Sequence, residues 1–127
     1  MKLHRFKVNH KDDRGVIIDL LQKNINFITY ITIKKGKIRG NHFHKKTVQW
    51  NYILNGKVTL FYKKKYNSKK IKKIILKKKD LAVCNKYEPH ALKAITDCEI
   101  LVFTKGPRQG KDYESDTFRL KDPLAKY

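Results

Sequence analysis

A chain of 127 residues, 40% of them hydrophobic, is long enough for one domain with one core and too apolar for a disordered segment. No apolar stretch reaches the length of a membrane span. The start, Met1-Lys2-Leu3-His4-Arg5, has no apolar run of a signal peptide behind it, and the formal charge is +20.

Nearly every segment reads as strand. Val16–Gln22 is the one stretch with helical potential, and Gly15 before it with Val-Ile-Ile inside it favours strand. Residues 27–33 are aromatic and β-branched without a break. Gln49–Leu54 alternates polar and apolar side chains, Asn55-Gly56 follows as a hairpin signal of type I′, and Lys57–Tyr62 is expected to return as the partner strand. A turn at Tyr66-Asn67-Ser68 precedes strands expected at 71–76, 81–84, 90–95 and 99–104. Strands this short and this regularly spaced predict an all-β fold, an antiparallel barrel or jelly roll. No repeat, linker or second domain is visible, so residues 1–127 are read as a single domain, with 106–127 as an irregular extension across the barrel. Cys84 and Cys98 lack CxxC or finger-like spacing and sit in apolar runs, which predicts reduced, buried thiols and a cytoplasmic protein.

Of the 31 basic residues 26 are lysine and 5 arginine, and 11 lysines with no acidic residue fall between Lys57 and Lys79. Such a stripe attracts phosphate backbones. Specific readers, however, use arginine for bidentate and stacked contacts. The chain is also rich in isoleucine and asparagine, which with lysine are encoded by A/T-rich codons. Genome composition and a solvated strand face explain the run more cheaply than a nucleic-acid partner. A small anionic ligand such as a nucleotide diphosphate would gain from the same field.

His42 and His44 carry the strongest chemical signal. Residues two apart on a strand share a face, so Asn41-His42-Phe43-His44 aims two imidazoles to one side of a sheet. Imidazole serves as metal ligand or as acid and base near neutral pH. In context, Gly36, five residues, His42, Phe43, His44, four residues, Gln49, six residues and Gly56 resemble the first cupin motif, G-x5-H-x-H-x4-E-x6-G, with Gln49 in place of Glu. The second motif, G-x5-P-x-G-x2-H-x3-N, keeps only its histidine, at His90; Lys79, Asn85, Tyr87 and Ala94 replace the other residues. The two motifs span residues 36–94. The resemblance implies a cupin barrel.

Within cupins, Arg39-Gly40-Asn41-His42-Phe43-His44-Lys45-Lys46 followed by Gln49 is similar to the RGxHxHKKxxQ run of dTDP-4-keto-6-deoxyglucose 3,4-ketoisomerases, in the dTDP-4-dehydrorhamnose 3,5-epimerase-like group. That likeness implies a metal-independent isomerase or epimerase of a dTDP- or UDP-linked 4-keto-6-deoxyhexose. His44 would be the general base, Tyr30 its partner acid and Arg39 a diphosphate or substrate contact. Tyr30 fills this role if it faces the barrel interior; otherwise it is a core tyrosine. Lys34, Arg39 or His42 would supply positive charge for the enolate, and Gln49 and Asn51 are further substrate contacts. The segment Gly110–Phe118 looks more like single-domain cupins found beside carbohydrate-biosynthesis genes.

The second reading is a metal- or carbohydrate-binding module without catalysis. His42, His44, His90 and Gln49 would hold one divalent transition metal, Zn, Ni, Fe or Mn. Gln49 removes the negative charge that the motif's glutamate brings. No GxSxG, phosphate-cradling glycine loop or dinucleotide fingerprint is present. The expected partners are a nucleotide sugar and a second copy in a homodimer; Trp50 and Tyr52, opposite Gln49 on their strand, are expected to be buried against the other layer or at that subunit contact, and neither membrane nor nucleic acid is expected.

Overall fold

The computed structural model describes residues 1–107 and 114–127. Among the described residues every regular element is a strand: β1 (Lys2–Arg5), β2 (His10–Asp12), β3 (Gly15–Ile17), β4 (Phe27–Ile33), β5 (Ile38–Phe43), β6 (Val48–Asn55), β7 (Val58–Tyr62), β8 (Lys72–Leu76), β9 (Asp80–Cys84), β10 (His90–Ala94), β11 (Cys98–Lys105) and β12 (Phe118–Arg119). No helix is long and apolar enough to cross a membrane.

The pairings are nested: β7 with β8, β6 with β9, β5 with β10 and β4 with β11, all antiparallel. This is one long hairpin wrapped on itself, the jelly roll expected from the strand pattern. Its strands fall into two five-stranded sheets, β1-β9-β6-β11-β4 and β12-β5-β10-β7-β8, while β2 and β3 form a small separate ribbon. Alternation decides the core. On β11, Cys98, Ile100, Val102 and Thr104 are buried at alternate positions, and the first three pack in one cluster with Ile53, Val58, Leu60 and Leu76.

Wrapping explains why Asn55-Gly56 does not make the expected hairpin. β6 and β7 belong to different sheets, so this corner carries the chain across the sandwich. Only Gly56 has positive φ (87°), not both residues as a type I′ turn requires. A Cβ on Gly56 would lie 2.2 Å from the carbonyl oxygen of Asp97, so glycine is needed for close approach as well as for its φ. The strand expected in Val16–Gln22 exists only as far as Ile17.

Trp50 and Tyr52 do face away from the interior, but Trp50 is buried by the chain itself. Phe6, Leu21 and Ile25 of the N-terminal segment pack over Trp50, Leu81 and Val83. The tryptophan is therefore buried in the chain's own layer, one of the two placements expected for it, and is not offered to a second copy. Residues 108–113 of the expected C-terminal extension lie outside the described residues. Beyond them, Phe118 and Arg119 are not irregular: they add strand β12 beside β5, and Leu124 and Ala125 are buried against Ala91.

Two substitutions seen in the sequence have a backbone consequence. Lys79 and Tyr87, which stand where the second cupin motif has glycine, both have positive φ, 76° and 62°. The turns have kept the left-handed geometry after losing the residue that adopts it freely. Lys79 is exposed and so has little packing to lose. Lys79→Gly is expected to raise stability by roughly 0.5–1 kcal/mol in denaturant unfolding. Gly56→Ala is expected to lower it by about 2 kcal/mol or more, because a backbone carbonyl must move.

Candidate active site

A β-bulge builds the site. In the β5–β10 ladder His42 pairs with His90 and Gly40 with Ala91, leaving Asn41 as the extra residue. Gly40 and Asn41 both have positive φ, 99° and 58°. A Cβ on Gly40 would stand 2.8 Å from the His90 carbonyl oxygen, so only glycine lets the strands close here. The extra residue reverses the strand's parity. Arg39 and His42, three positions apart, pair with Leu92 and His90, two apart on β10, and all four line the interior cavity. Asn41 is turned to the C-terminal segment: its Oδ1 accepts from the backbone N–H of Leu124 (2.8 Å) and Ala125 (3.0 Å), and its Nδ2 donates to the Ala125 carbonyl.

Three imidazoles converge behind the bulge. Ring centroids lie 4.7 Å apart for His42 and His44, 4.8 Å for His42 and His90, and 5.3 Å for His44 and His90. Backbone carbonyls set two of the tautomers, since a carbonyl can only accept. His44 Nδ1–H donates to Asp116 O (2.9 Å) and His90 Nδ1–H to Glu88 O (3.0 Å). In neutral His90 the Nε2 is then an acceptor, and His42 Nε2–H donates to it over 3.1 Å. His90 is 4% exposed; burial, then the proximity of His44, pushes its pKa down to about 4. The imidazole is therefore held neutral at physiological pH.

Asp116 positions His44 from the far end of the chain. Its carboxylate accepts from Lys45 N–H (3.2 Å), Lys46 N–H (2.8 Å) and the Thr47 hydroxyl (2.7 Å), clamping the turn after β5. Burial works to raise its pKa, but these hydrogen bonds outweigh it and hold the carboxyl below its usual range. The sequence offered this residue only as part of an unassigned tail.

The cavity measures about 630 Å³, and Arg39, Gln49, Asn51 and the three histidines all line it. Gln49 and Asn51 are 7% and 5% exposed, and Asn51 Nδ2 donates to the Ala82 carbonyl. Arg39 is exposed and its Nε donates to Thr32 O (3.1 Å). Arg119, not anticipated, joins it at the lining, donating to Gly40 O and paired with Glu114. Tyr30 and Lys34 are corrections: neither lines the cavity. Strand alternation points Ile31 inward and leaves Tyr30 56% exposed on the outer face, where its hydroxyl donates to Glu99. That hydrogen bond holds the Tyr30 pKa above its usual value. Lys34 is exposed just beyond the end of β4.

The triad also suits a metal. The ligand atoms of His42, His44 and His90 lie within 4.8 Å of one another. The carbonyls on His44 Nδ1 and His90 Nδ1 leave their Nε2 lone pairs to coordinate, as outer-shell partners of metal-bound histidine do. Holding an ion would require His42 to give up the proton on Nε2. With Gln49 in the same lining, the donor set is neutral.

The sequence matches the family described as Polysaccharide biosynthesis C-terminal domain over residues 10–118. Among curated proteins none matches. Among solved structures, the chain is similar to QdtA, a sugar 3,4-ketoisomerase from Thermoanaerobacterium thermosaccharolyticum in complex with TDP, at 25% identity and a TM-score of 0.75 over 94% of this chain and 88% of that one. It is similar in fold to a 3,4-ketoisomerase from Helicobacter canadensis, at 22% identity and 0.76 over 93% and 89% of the two chains. It is also similar in fold to the capsular polysaccharide assembling protein CapF from Staphylococcus aureus, at 18% identity and 0.68 over 94% of this chain. The chain spans about a third of CapF, 33% of its length.

The buried histidine sets the acid limit of the fold. Unfolded, His90 titrates near the ordinary imidazole value of 6.5; folded, burial brings it down to about 4. Between these values the unfolded state binds the extra proton, so stability falls as pH drops through that window. Metal-free protein is expected to lose about 3 kcal/mol between neutral pH and pH 4 by this route. Urea unfolding of wild type and His90→Asn across that range checks it, the variant showing the shallower loss. Asp116→Ala, which orphans three donors, is expected to cost about 2–4 kcal/mol at pH 7.

Proposed function

The chain belongs to the polysaccharide biosynthesis C-terminal domain family, and on that membership we propose that it is an isomerase or epimerase of a nucleotide-linked keto sugar. The observation that carries this reading is the cluster of three imidazoles, with His90 held neutral, inside a cavity of about 630 Å³ with Arg39 and Arg119 in its lining. That volume suits a hexose with part of its nucleotide, and the two guanidinium groups suit a diphosphate. The likeness to a sugar 3,4-ketoisomerase solved with TDP supports the same substrate class, a dTDP- or UDP-linked 4-keto-6-deoxyhexose.

His44 is the base. Its Nδ1–H is committed to the Asp116 carbonyl, so Nε2 is the atom that takes a proton from the carbon beside the ketone. In 3,4-ketoisomerisation the C3–H electron pair becomes the C3–C4 double bond while O4 gains a proton. The second half delivers a proton to C4 and removes one from O3, leaving the ketone at C3 with no net change in atoms. Tyr30 is too exposed to be the acid. His42, whose ring is 4.7 Å from that of His44, takes that role when protonated, giving up its Nδ1 proton while its Nε2–H stays on neutral His90, which fixes its plane. Arg39, in the cavity lining, favours the negative charge that develops on oxygen.

His42, His44, His90 and Gln49 would hold a divalent metal if one binds, and it would polarise the ketone. A fully neutral ligand set forgoes the Coulomb attraction of a carboxylate, and chelator-treated protein is expected to retain isomerisation. We also infer a homodimer, with its contact moved from Trp50 to exposed Ile28 and Tyr30 on the sheet-edge strand β4.

In D2O, wild-type protein mixed with dTDP- or UDP-4-keto-6-deoxyhexoses is expected to incorporate deuterium at carbons flanking the ketone. His44→Asn is expected to lower that rate by about 10²–10⁴-fold with folding intact, read by mass spectrometry and circular dichroism. A substrate panel showing binding but neither exchange nor product would replace this reading with the binding-module one.

A further inference from the structure

We propose that the outer face of β8 and the loop before it form a docking surface for an anionic phospholipid bilayer. Between Lys63 and Lys73 seven of eleven residues are lysine, none is arginine and none is acidic. Among the described residues no lysine enters an ion pair; the five pairs present use the N-terminus, Arg5, His10, Arg14 and Arg119. The positive field here is therefore not cancelled locally. Lys64 and Lys72 stand so close that the hydrogen bond and charge of Lys64 lower the Lys72 pKa, a crowding that a layer of negative charge would relieve.

Apolar side chains are set into this charge. β8 alternates, so Ile74 and Leu76 pack into the core while Ile71, Lys73 and Ile75 lie exposed at every second position. Ile71 is 47% and Ile75 54% exposed, and Tyr66 in the same loop is 55% exposed. A solvated strand face needs the lysines but not the isoleucines. A membrane interface uses both, with lysines drawn to anionic headgroups and apolar or aromatic side chains entering the headgroup layer. Lysine without arginine fits a diffuse sheet of charge better than the bidentate geometry of nucleic-acid readout. β8 is the edge strand farthest from β12 in its sheet, and no residue of β8 lines the site cavity. Docking there would be peripheral and independent of any membrane-spanning segment.

The test is flotation of the full chain with vesicles of phosphatidylglycerol and phosphatidylcholine against vesicles of phosphatidylcholine alone, at about 0.1 M salt, where charges are screened beyond about 10 Å. Binding to the anionic vesicles only is expected. Replacing Lys64, Lys69, Lys70 and Lys72 by Ala should weaken it roughly fivefold per lysine. Ile71→Ser with Ile75→Ser, which leaves every charge in place, should weaken it further at raised salt. Both variants should keep wild-type circular dichroism and deuterium exchange. No binding to anionic vesicles would overturn the proposal. So would indifference to the isoleucine changes, or a random-sequence RNA that displaces the vesicles at equal phosphate concentration, which would mark the face as a nucleic-acid surface.

Discussion

The bulge at Gly40 and Asn41 is the constraint on which the rest of the site depends. A strand without it would send Arg39 and His42 to opposite faces of the sheet, because side chains alternate with period two. With one residue looped out, both turn into the same cavity and His42 meets His90 across the ladder. The cost is two successive residues in left-handed backbone. It is offset by Asn41, whose side chain makes three hydrogen bonds to the segment that buries Leu124 and Ala125. The same C-terminal stretch supplies Asp116, which clamps the turn after His44. The site therefore sits at the junction of the barrel with a segment about seventy positions distant in sequence, and its geometry requires both to be folded.

Inside, the electrostatics contrast with the surface. A chain of net charge +20 keeps three imidazoles in close contact, where two positive charges would repel at short range in a medium that screens poorly. Burial and proximity resolve this by holding His90 neutral. Neutral imidazole can accept a proton or ligate a metal, and its tautomer here is dictated by backbone carbonyls rather than by other side chains. Among the described residues Lys126 is the one lysine in the cavity lining, and the guanidinium groups there are Arg39 and Arg119.

Lys79 and Tyr87 show how far a fold can hold its shape after its sequence signature has faded. The motif glycines are gone, yet the backbone at both positions remains left-handed. At Tyr87 the ring stacks with Phe43, the residue between the two motif histidines, at 6.3 Å, and the Tyr87 N–H bonds the His44 carbonyl. At Tyr87 these tertiary contacts hold a backbone conformation that a side-chain-bearing residue adopts only at a cost.

By itself the sequence determined the strands, because β-branched runs and alternation are local properties: residues 27–33, for example, are strand β4 as expected. It also joined His42 to His44, because residues two apart share a strand face, while Gln49 and His90 were joined to them only through the resemblance to the two cupin motifs. Pairing was beyond its reach. Asn55-Gly56 carries the local chemistry of a hairpin, but β6 and β7 separate into different sheets, a choice made by which strands bury each other. The facing of Tyr30 was equally hidden, since both faces of β4 are apolar and only burial against β11 and the cavity decides that Ile31 points in. Asp116 had no local signal at all. Its role exists only where the folded chain brings residues 44–47 and 116 into hydrogen-bonding distance, and no periodicity encodes a contact at that separation.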